Sequence, residues 1–514
     1  MASSPERRNW ISRMSRPAVS TALALAVVVI SAVVVTKSAQ AQTVTTLYSF
    51  CTLSGCTDGE FPESGLVQGT DGNFYGTAPY GGANSNTQFC NIGCGTVFKI
   101  TPMGELTTIY SFCSLTNCAD GDSPVASLVQ ATDGNFYGTT PLGGAGSNCS
   151  LQEFTGGCGT VFRITPEGKL TTVYNFCSQT NCADGSIPQA PLIQAADGSL
   201  YGTTVFGGLN QGGKGTVFKI TTSGTLTTLY SFCAVVVVNC NDGEEPGTGL
   251  VQATNGDFYG TNNGGAHSKG TIFKITAAGK LTTLHTFHGL DGEQPSGLVQ
   301  ANNGNLYGTT FAGGANGAAG TIFRITLGGT LATLYNFCTQ PNCPDGFDPA
   351  EGVVQGTDGN LYGTVNGGSN NGGKLFKLAH DGTLTTLYSF CLQSGCPDGS
   401  DPVGLGQGTD GNFYGTTDVG GAHGFGAVFS LSVGLGPFVK TLPASGQVGR
   451  RVEILGTDLT GATSVTFNGT AATFTVVSSS LITATVPAGA TTGKVRVLTP
   501  GGTLSSNRAF QVIP

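Results

Sequence analysis

One acidic motif recurs along the whole repetitive part of the chain. Carboxylate oxygens in such numbers suit Ca²⁺ or a polar ligand, and a second acid such as Glu60 or Asp122 follows several of them. The alternative is that each aspartate accepts hydrogen bonds from its own loop, as Asp does in turns. Recurrence in every unit favours the turn role, and the candidate ligand-binding residues are the aspartates of Asp-Gly-x-x-Pro: Asp58, Asp120, Asp184, Asp242, Asp291, Asp345 and Asp398.

The sixteen cysteines fall into eight local pairs, and one repeat with a shortened loop near Asp291 lacks both of its cysteines. An even number and a paired loss predict disulfides, as in exported proteins. A zinc site takes about four ligands, more than the two cysteines that we count for each repeat, so we expect no metal. The predicted pairs are Cys51/Cys56, Cys90/Cys94, Cys113/Cys118, Cys149/Cys158, Cys177/Cys182, Cys233/Cys240, Cys338/Cys343 and Cys391/Cys396.

Residues for catalysis are not evident. The chain contains no Gly-x-Ser-x-Gly, His-Glu-x-x-His or phosphate-binding loop. None of the histidines has metal-ligand spacing with Cys, Asp or Glu, so we interpret them as scattered surface residues. They are His267, His285, His288, His380 and His423. No catalytic residue is predicted.

These residues lie in a unit that occurs seven times. Its most regular stretch, Thr-Asp-Gly-Asn-Phe-Tyr-Gly-Thr-Thr, is found at 132–140 and again at 409–417. Each unit has four segments rich in β-branched and aromatic residues, which predicts strands. Asp-Gly or Asn-Gly joins the first two segments in every copy, and this dipeptide favours a tight hairpin. The unit is therefore predicted to be a four-stranded antiparallel meander.

Counting segments predicts how the sheets are arranged. A lone segment of the fourth type opens the chain at 43–50, and the seventh unit ends after its third segment at 426–431. Every sheet is complete only if the N-terminal strand joins the last one. We therefore predict an all-β protein with a seven-bladed β-propeller of 28 strands over 42–435. An open array of hairpins is the alternative, with two unpaired sheet edges.

The predicted blades distinguish two faces. The cysteine pairs lie in the connections from second to third strand and from fourth strand to the next unit, which emerge on one face. We call it the loop face and expect ligands there, because the opposite face has only tight turns. Each first strand also carries Gln followed by Gly or Ala, small enough for crowded inner strands. These glutamines would line a central channel or hydrogen-bond between blades, and they are Gln68, Gln130, Gln194, Gln252, Gln300, Gln355 and Gln407.

The C-terminal part, 436–514, has a different composition. The repeat and the cysteines stop, and alternating segments predict a small β-sandwich. Pro443, Gly446, Phe467-Asn468-Gly469 and Val486-Pro487 closely resemble an IPT/TIG immunoglobulin-like domain.

The repeats resemble the choice-of-anchor GloVer tandem-repeat family of bacterial exported proteins over essentially all of 43–431. The resemblance is carried by Gly-Thr-Val-Phe-Lys-Ile-Thr, Leu-Thr-Thr-Leu-Tyr-Ser-Phe and Asp-Gly-Asn-Phe-Tyr-Gly-Thr. It implies export, and it implies no particular activity, since that family is defined by its repeats and varied C-terminal attachments.

The first 41 residues have the pattern of a signal peptide. Basic residues from Arg7 to Arg16 precede an apolar run at 18–35 and the small-x-small site Ala39-Gln40-Ala41. An uncleaved anchor is the alternative, because 18 apolar residues can just span a bilayer. Removing 1–41 takes away five basic residues and one acidic residue, so the net charge goes from −8 to −12. That charge disfavours nucleic acid and anionic membranes as partners.

These observations predict a secreted or cell-surface binding or adhesion protein without enzymatic activity, with the periplasm as another location. The expected partner is an extracellular glycan or protein, with no nucleic acid and no membrane insertion after signal cleavage. We expect a monomer without a cofactor, Ca²⁺ remaining an open alternative. The competing hypotheses are an exported carbohydrate-active enzyme with an axial carboxylate site and a Ca²⁺-stabilised structural surface protein.

Overall fold

The computed structural model describes residues 42–84, 90, 92–146, 157–209, 213–233, 240–315, 317, 319–349, 351–368 and 371–513. The predicted signal peptide and Cys149 lie outside these residues. Regular structure in the described ranges consists of β-strands and three one-turn 3-10 helices, Ser54–Cys56, Thr116–Cys118 and Thr180–Cys182. No helix in this part of the chain combines the length and the apolar character needed to cross a membrane. The all-β prediction is confirmed.

Each repeat forms an antiparallel sheet with the predicted meander order. The first strands are Val67–Gln68, Val129–Gln130, Ile193–Gln194, Val251–Gln252, Val299–Gln300, Val354–Gln355 and Ser400–Gln407. The second strands are Phe74–Ala78, Phe136–Thr140, Leu200–Thr204, Phe258–Asn262, Leu306–Ala312, Leu361–Val365 and Phe413–Val419. The third strands are Thr96–Ile100, Thr160–Ile164, Thr216–Ile220, Thr271–Ile275, Thr321–Ile325, Lys374–Leu378 and Ala427–Ser432. The fourth strands are Leu106–Ser111, Leu170–Asn175, Leu226–Ser231, Leu281–Thr286, Leu331–Asn336, Leu384–Ser389 and, for the last sheet, Thr43–Ser49.

Strand pairing at the two ends of the repeat region follows the segment count. The N-terminal strand Thr43–Ser49 pairs antiparallel with Ala427–Ser432, so the chain's first strand completes its last sheet. The sheet of the fifth repeat has one strand more than predicted, Glu293–Pro295, which pairs with Leu306–Ala312. This extra pairing lies in the repeat whose loop is shortened. Four-stranded antiparallel sheets of this kind are consistent with propeller-like repeats.

The first-strand glutamines join the sheets to one another. In every repeat the glutamine side-chain oxygen accepts a backbone N–H from the preceding sheet at 2.8–3.1 Å. The series includes a bond from Thr409 N of the last sheet to Gln68 of the first. The pairs are Gln68 with Thr409, Gln130 with Thr70, Gln194 with Thr132, Gln252 with Ala196, Gln300 with Thr254, Gln355 with Asn302 and Gln407 with Thr357.

Aromatic side chains fill the space between neighbouring sheets. Tyr75 of one sheet stacks on Phe136 of the next with ring centroids 4.0 Å apart, and both are fully buried. A Cβ at Gly69, the small residue after Gln68, would lie 2.8 Å from the Tyr75 ring and 3.1 Å from Phe136. Crowding by aromatic rings, rather than by inner strands as predicted, therefore explains the small residue here.

The C-terminal strands form two sheets around one hydrophobic core. One sheet contains Lys440–Leu442, Arg451–Leu455, Leu481–Thr485 and Phe474–Val476. The other contains Ser445–Gln447, Gly502–Ile513, Gly493–Thr499, Ser464–Phe467 and Thr470–Ala471. Ser480 Oγ donates to Thr70 O at 2.9 Å, and Gln511 Nε2 donates to Thr254 O at 3.1 Å. These bonds place the C-terminal sheets against the hairpin-turn face, so the loop face is at the other end of the repeats.

Candidate ligand site on the loop face

Each of the seven motif aspartates contacts a side chain of a fourth strand. In six repeats a fourth-strand tyrosine hydroxyl donates to the carboxylate at 2.7–2.9 Å. In the fifth repeat His285 Nε2 lies 2.7 Å from Asp291 Oδ2 instead. The tyrosine pairs are Tyr48 with Asp58, Tyr110 with Asp120, Tyr174 with Asp184, Tyr230 with Asp242, Tyr335 with Asp345 and Tyr388 with Asp398.

Asp58 illustrates how these carboxylates are used. Its side chain has no exposed surface, and it also accepts the backbone N–H groups of Thr52 at 2.9 Å and Leu53 at 3.3 Å. Burial, together with the bond to Asp58, raises the pKa of Tyr48 to about 12, so the hydroxyl keeps its proton in neutral solution. Internal donors thus hold both carboxylate oxygens. A ligand-binding role for the seven aspartates stays a prediction.

The hydrogen bonds from fourth-strand tyrosines to the motif aspartates were not predicted from the sequence. The signal was present, because a tyrosine precedes the aspartate by ten residues in five of the cysteine-containing repeats and by twelve in the sixth. In the repeat without cysteines the shorter loop brings His285 within six residues of Asp291. The coupled replacement of tyrosine, cysteines and loop length indicates one structural unit.

Seven of the predicted disulfides are present in full, and they close loops on the same face as these aspartates. Cys158 is also disulfide-bonded, and its predicted partner Cys149 is outside the described residues. No free cysteine occurs in the described ranges. The pairing expected from spacing is confirmed for Cys51 with Cys56, Cys90 with Cys94, Cys113 with Cys118, Cys177 with Cys182, Cys233 with Cys240, Cys338 with Cys343 and Cys391 with Cys396.

Four cysteines lie close together on the loop face, so the prediction that no more than two could meet in one place is wrong. The Sγ atoms of Cys90, Cys94, Cys113 and Cys118 all lie within 4.8 Å of one another. The first pair lies between second and third strands, and the second lies in the connection to the next repeat. Counting two cysteines for each repeat missed this, because both connections meet on the loop face. In the structure the four residues form two adjacent disulfides.

Cysteines of different loops do not come close together in every repeat. Cys240, Cys343 and Cys396 are half-buried, and each closes a loop with one earlier cysteine. Among the described residues, none of these three disulfides belongs to a group of three or more possible metal ligands. Among the described residues, cysteines of two different loops therefore come together only in the groups of Cys90 to Cys118 and of Cys158 to Cys182.

The histidines are less scattered than predicted. The rings of His267 and His288 lie 4.6 Å apart between centroids, and the backbone N–H of His288 donates to Asp291 at 2.8 Å. The loops of the fourth and fifth repeats therefore meet at these residues.

A cavity opens on the loop face where the first strands begin. Its volume is about 280 Å³, and it draws on the second to the sixth repeats. Among its described lining residues, Glu351 is the only one with a carboxylate. The lining residues are Val125, Ala126, Ser127, Gln189, Pro191, Gly247, Thr248, Gly249, Ser296, Gly297, Glu351 and Gly352.

Hydrogen bonds between sheets show that Glu351 occupies a repeated position. A second-strand threonine hydroxyl donates to a backbone oxygen of the following repeat at 2.9–3.3 Å. Thr309 makes this bond to Glu351, whereas the other acceptors belong to residues without charge. Those bonds are Thr77 to Ala126, Thr139 to Ala190, Thr203 to Thr248 and Thr416 to Ser64. The glutamate therefore breaks the chemical symmetry of the repeats.

The surroundings of Glu351 raise the pKa of its carboxyl group. The residue is half-buried, and protein surrounds the carboxyl group. This burial raises the pKa of the carboxyl to about 7, because desolvation disfavours the charged form. A Cβ at Gly404 would lie 2.9 Å from Glu351 Oε2, and Gly404 has φ of 53°. The absence of a side chain at Gly404 thus leaves space for the glutamate head group.

A second acidic group lies where the first and last repeats meet. Burial and the nearby charge of Asp418 raise the pKa of Glu63 to about 7. Burial and the charge of Asp401 raise the pKa of Asp418 in turn. These carboxyls therefore keep their protons to higher pH than exposed acids do.

Comparison with protein families assigns the repeats. The model of the Gloeobacter/Verrucomicrobia repeat matches residues 32–157, 150–302 and 261–476. The chain belongs to the Gloeobacter/Verrucomicrobia repeat family. No curated protein matches its sequence.

Solved structures similar to this member of the Gloeobacter/Verrucomicrobia repeat family share little sequence with it. An extracellular domain assigned to a hybrid two-component system of B. thetaiotaomicron is 11% identical, with a TM-score of 0.46, and the match covers 92% of this chain and 59% of that chain. A luciferin-regenerating enzyme is 12% identical, with a TM-score of 0.36 and coverage of 77% and 97%. A protein assigned as an oxidoreductase (glucose dehydrogenase) from Thermus thermophilus is 15% identical, with a TM-score of 0.36 and coverage of 60% and 96%.

The disulfide loops of this family member also present apolar side chains to solvent. Leu53, Leu115 and Leu392 are 54%, 55% and 65% exposed, and each lies within a loop closed by a disulfide. Short closed loops hold these leucines with little conformational freedom. The loop face therefore carries exposed apolar side chains in addition to the Glu351 cavity.

Proposed function

We propose that the protein is an exported binding protein that holds a saccharide on its loop face, in the cavity beside Glu351. The observation that carries this proposal is the single carboxylate of Glu351 among hydroxyl and amide side chains such as Ser127 and Gln189. A carboxylate accepts hydrogen bonds from sugar hydroxyls, and hydroxyl and amide groups both donate hydrogen bonds to them and accept hydrogen bonds from them. Binding sites usually place a few polar groups in one concave surface.

The proposal includes the architecture that forms the cavity. The seven repeat sheets, joined from Gln68 through Gln407 by side-chain hydrogen bonds, are proposed to be the blades of a closed seven-bladed β-propeller. The two C-terminal sheets are proposed to be an IPT/TIG immunoglobulin-like domain. In this arrangement the cavity lies at the loop-face end of the central axis, and the C-terminal domain closes or spaces the other end.

Export is proposed from the disulfides and the leader sequence. Multiple disulfides persist in oxidising compartments, and the signal-like pattern of residues 1–41 agrees with that location. An extracellular or cell-surface protein meets glycans there.

The second candidate is a carbohydrate-active enzyme, and the raised pKa of Glu351 is the observation that favours it. A carboxyl with a pKa of about 7 can donate a proton to a leaving group. Glycoside hydrolysis, however, normally takes two carboxyl groups roughly 5–9.5 Å apart. The described lining supplies one, which favours binding.

The purified protein should be tested on a glycan array, with each retained glycan then incubated with the protein and analysed for cleavage. Retention of a defined glycan without new reducing ends supports the binding proposal. Cleavage of that glycan would replace it with the enzyme hypothesis. Failure to retain any glycan, with the disulfides and β-structure verified, would contradict both.

A further inference from the structure

A second and larger cavity lies at the opposite end of the repeats. It has a volume of about 600 Å³ and separates the hairpin turns of the fourth and fifth repeats from the C-terminal sheets. Thr254, Asn255 and Asn302 line the repeat side, and Ser445, Thr492 and Arg508 line the other. The volume is within the range of small-molecule sites, about 300–1,000 Å³.

The chemistry of this cavity is cationic. Arg508 lines it, and the described lining residues include no aspartate or glutamate. The guanidinium of Arg508 has no hydrogen-bond or ion-pair partner within the described part of the chain. Arg508 is exposed to solvent, although neighbouring protein lowers the pKa of its guanidinium. Its charge is therefore open to a ligand that enters the cavity.

Two lysines add positive charge next to Arg508. Lys440 donates to the backbone oxygen of Gln407, and Lys494 donates to that of Asn507 at 2.6 Å. Burial, with the neighbouring Arg508 charge, lowers the pKa of both lysines. Asp410 acts on Lys440 from a distance, but its oxygens accept hydrogen bonds from Asn412 and Tyr414. The three cations thus lack a carboxylate in direct contact within the described ranges.

We propose that this cavity binds a small molecule through a carboxylate, sulfate or phosphate group held by Arg508. A planar guanidinium donates two parallel hydrogen bonds to such oxyanions. The hydroxyls of Ser445 and Thr492 lie on the same wall and offer further polar contacts. The site belongs to the interface between the repeats and the C-terminal sheets, and it is separate from the Glu351 cavity.

Isothermal titration of the purified full chain with malonate, inorganic sulfate and inorganic phosphate, at low ionic strength, tests the site and separates the anion types. At least one anion is expected to bind with a Kd below about 10 mM. Arg508→Gln is expected to weaken that anion at least about tenfold, since it removes a charged donor. Arg496→Gln is the matched control, because Arg496 is exposed on the adjacent strand and does not line the cavity.

Arg508→Lys is a second variant, to be used if Arg508→Gln does not fold. It keeps the charge and loses the planar fork, so about a threefold or greater weakening is expected. The absence of binding below about 10 mM for all three anions would overturn the site. Equal affinity in the wild type and in a folded Arg508 variant would overturn it as well. Glu351→Gln should leave anion binding unchanged, which separates this site from the saccharide proposal.

Discussion

The amide oxygen of Gln68 accepts the backbone N–H of Thr409 at 3.0 Å across 341 positions of sequence, and its Nε2 donates to Thr409 Oγ1 at 3.1 Å. The same type of bond joins each repeat to the one before it. This pair therefore connects the last repeat to the first and supports the strand pairing of Thr43–Ser49 with Ala427–Ser432.

Gln68→Ala is expected to lower the free energy of unfolding by about 1–3 kcal/mol, because two hydrogen bonds between sheets are lost. Urea denaturation followed by circular dichroism measures the change. Gln393→Ala is the control, since Gln393 is exposed in a disulfide loop, and it should leave the midpoint unchanged. Equal midpoints for both variants would show that the closing bond contributes nothing to stability.

Tyr48→Phe is expected to destabilise the protein by about 1–3 kcal/mol, because it removes a donor from the buried carboxylate of Asp58. Thermal unfolding compares it with Tyr80→Phe. Tyr80 packs against Phe61, and its hydroxyl has no hydrogen-bond partner within the described ranges. A Tyr48 variant as stable as the wild type would contradict the structural role of the tyrosine and aspartate pairs.

Local patterns in the sequence were sufficient for the repeats. Asp-Gly turns, alternating apolar residues and the unmatched end segments predicted the meander and the pairing of the terminal strands, because these depend on neighbouring residues and on strand count. The Tyr48 bond to Asp58 was also accessible, since it joins residues ten positions apart. Contacts between loops, such as those among Cys90, Cys94, Cys113 and Cys118, depend on how adjacent sheets are placed, and spacing alone did not reveal them.

Stability is expected to fall as the pH rises from about 4.5 to 8. Folding raises the pKa of Glu351 and Glu63 to about 7 and that of Asp122 to about 6. A raised carboxyl pKa means that the folded state binds protons more tightly, so this stabilisation is present at low pH and is lost as the pH rises through the folded pKa. The melting temperature across this range measures the loss.

Glu351→Gln should remove the part of this pH dependence that comes from the Glu351 carboxyl. At pH 8 its melting temperature is expected to exceed that of the wild type by roughly 1–3 °C, with a smaller difference at pH 4.5. Glu105→Gln is the control, because Glu105 is exposed in a turn on the opposite face, and it should follow the wild type. Parallel curves for the Glu351 variant and the wild type would contradict the burial of its charge.

Chelation of Ca²⁺ with EDTA is expected to leave the melting temperature of the protein unchanged within about 1 °C. Both carboxylate oxygens of Asp58 accept internal donors, from Tyr48, Thr52 and Leu53, so Asp58 does not need a cation to compensate its charge. Asp345 differs, because its Oδ1 is buried without a hydrogen-bond partner among the described residues. Differential scanning fluorimetry with EDTA, and again with added Ca²⁺, tests this. A drop of several degrees, reversed by Ca²⁺, would favour the calcium-stabilised alternative.

Glu351 could not be singled out from the sequence. It follows the Asp-Gly-x-x-Pro motif of Asp345 and lies four residues before Gln355, which is the register of Ala126 and Thr248 in their repeats. That spacing does not show that its carboxyl group is buried beside a cavity. The cavity itself is formed by five repeats whose relative positions no local pattern encodes. The sequence therefore predicted only the face on which we propose the site, and the aspartates named for it accept hydrogen bonds from their own loops.

Saccharide binding in the Glu351 cavity is best measured by isothermal titration of a retained glycan against wild type, Glu351→Gln and Glu105→Gln. Binding to Glu351→Gln is expected to be at least about tenfold weaker, since a charged hydrogen bond is lost, and binding to Glu105→Gln should be unchanged. Equal affinity in all three proteins would show that the saccharide does not bind beside Glu351.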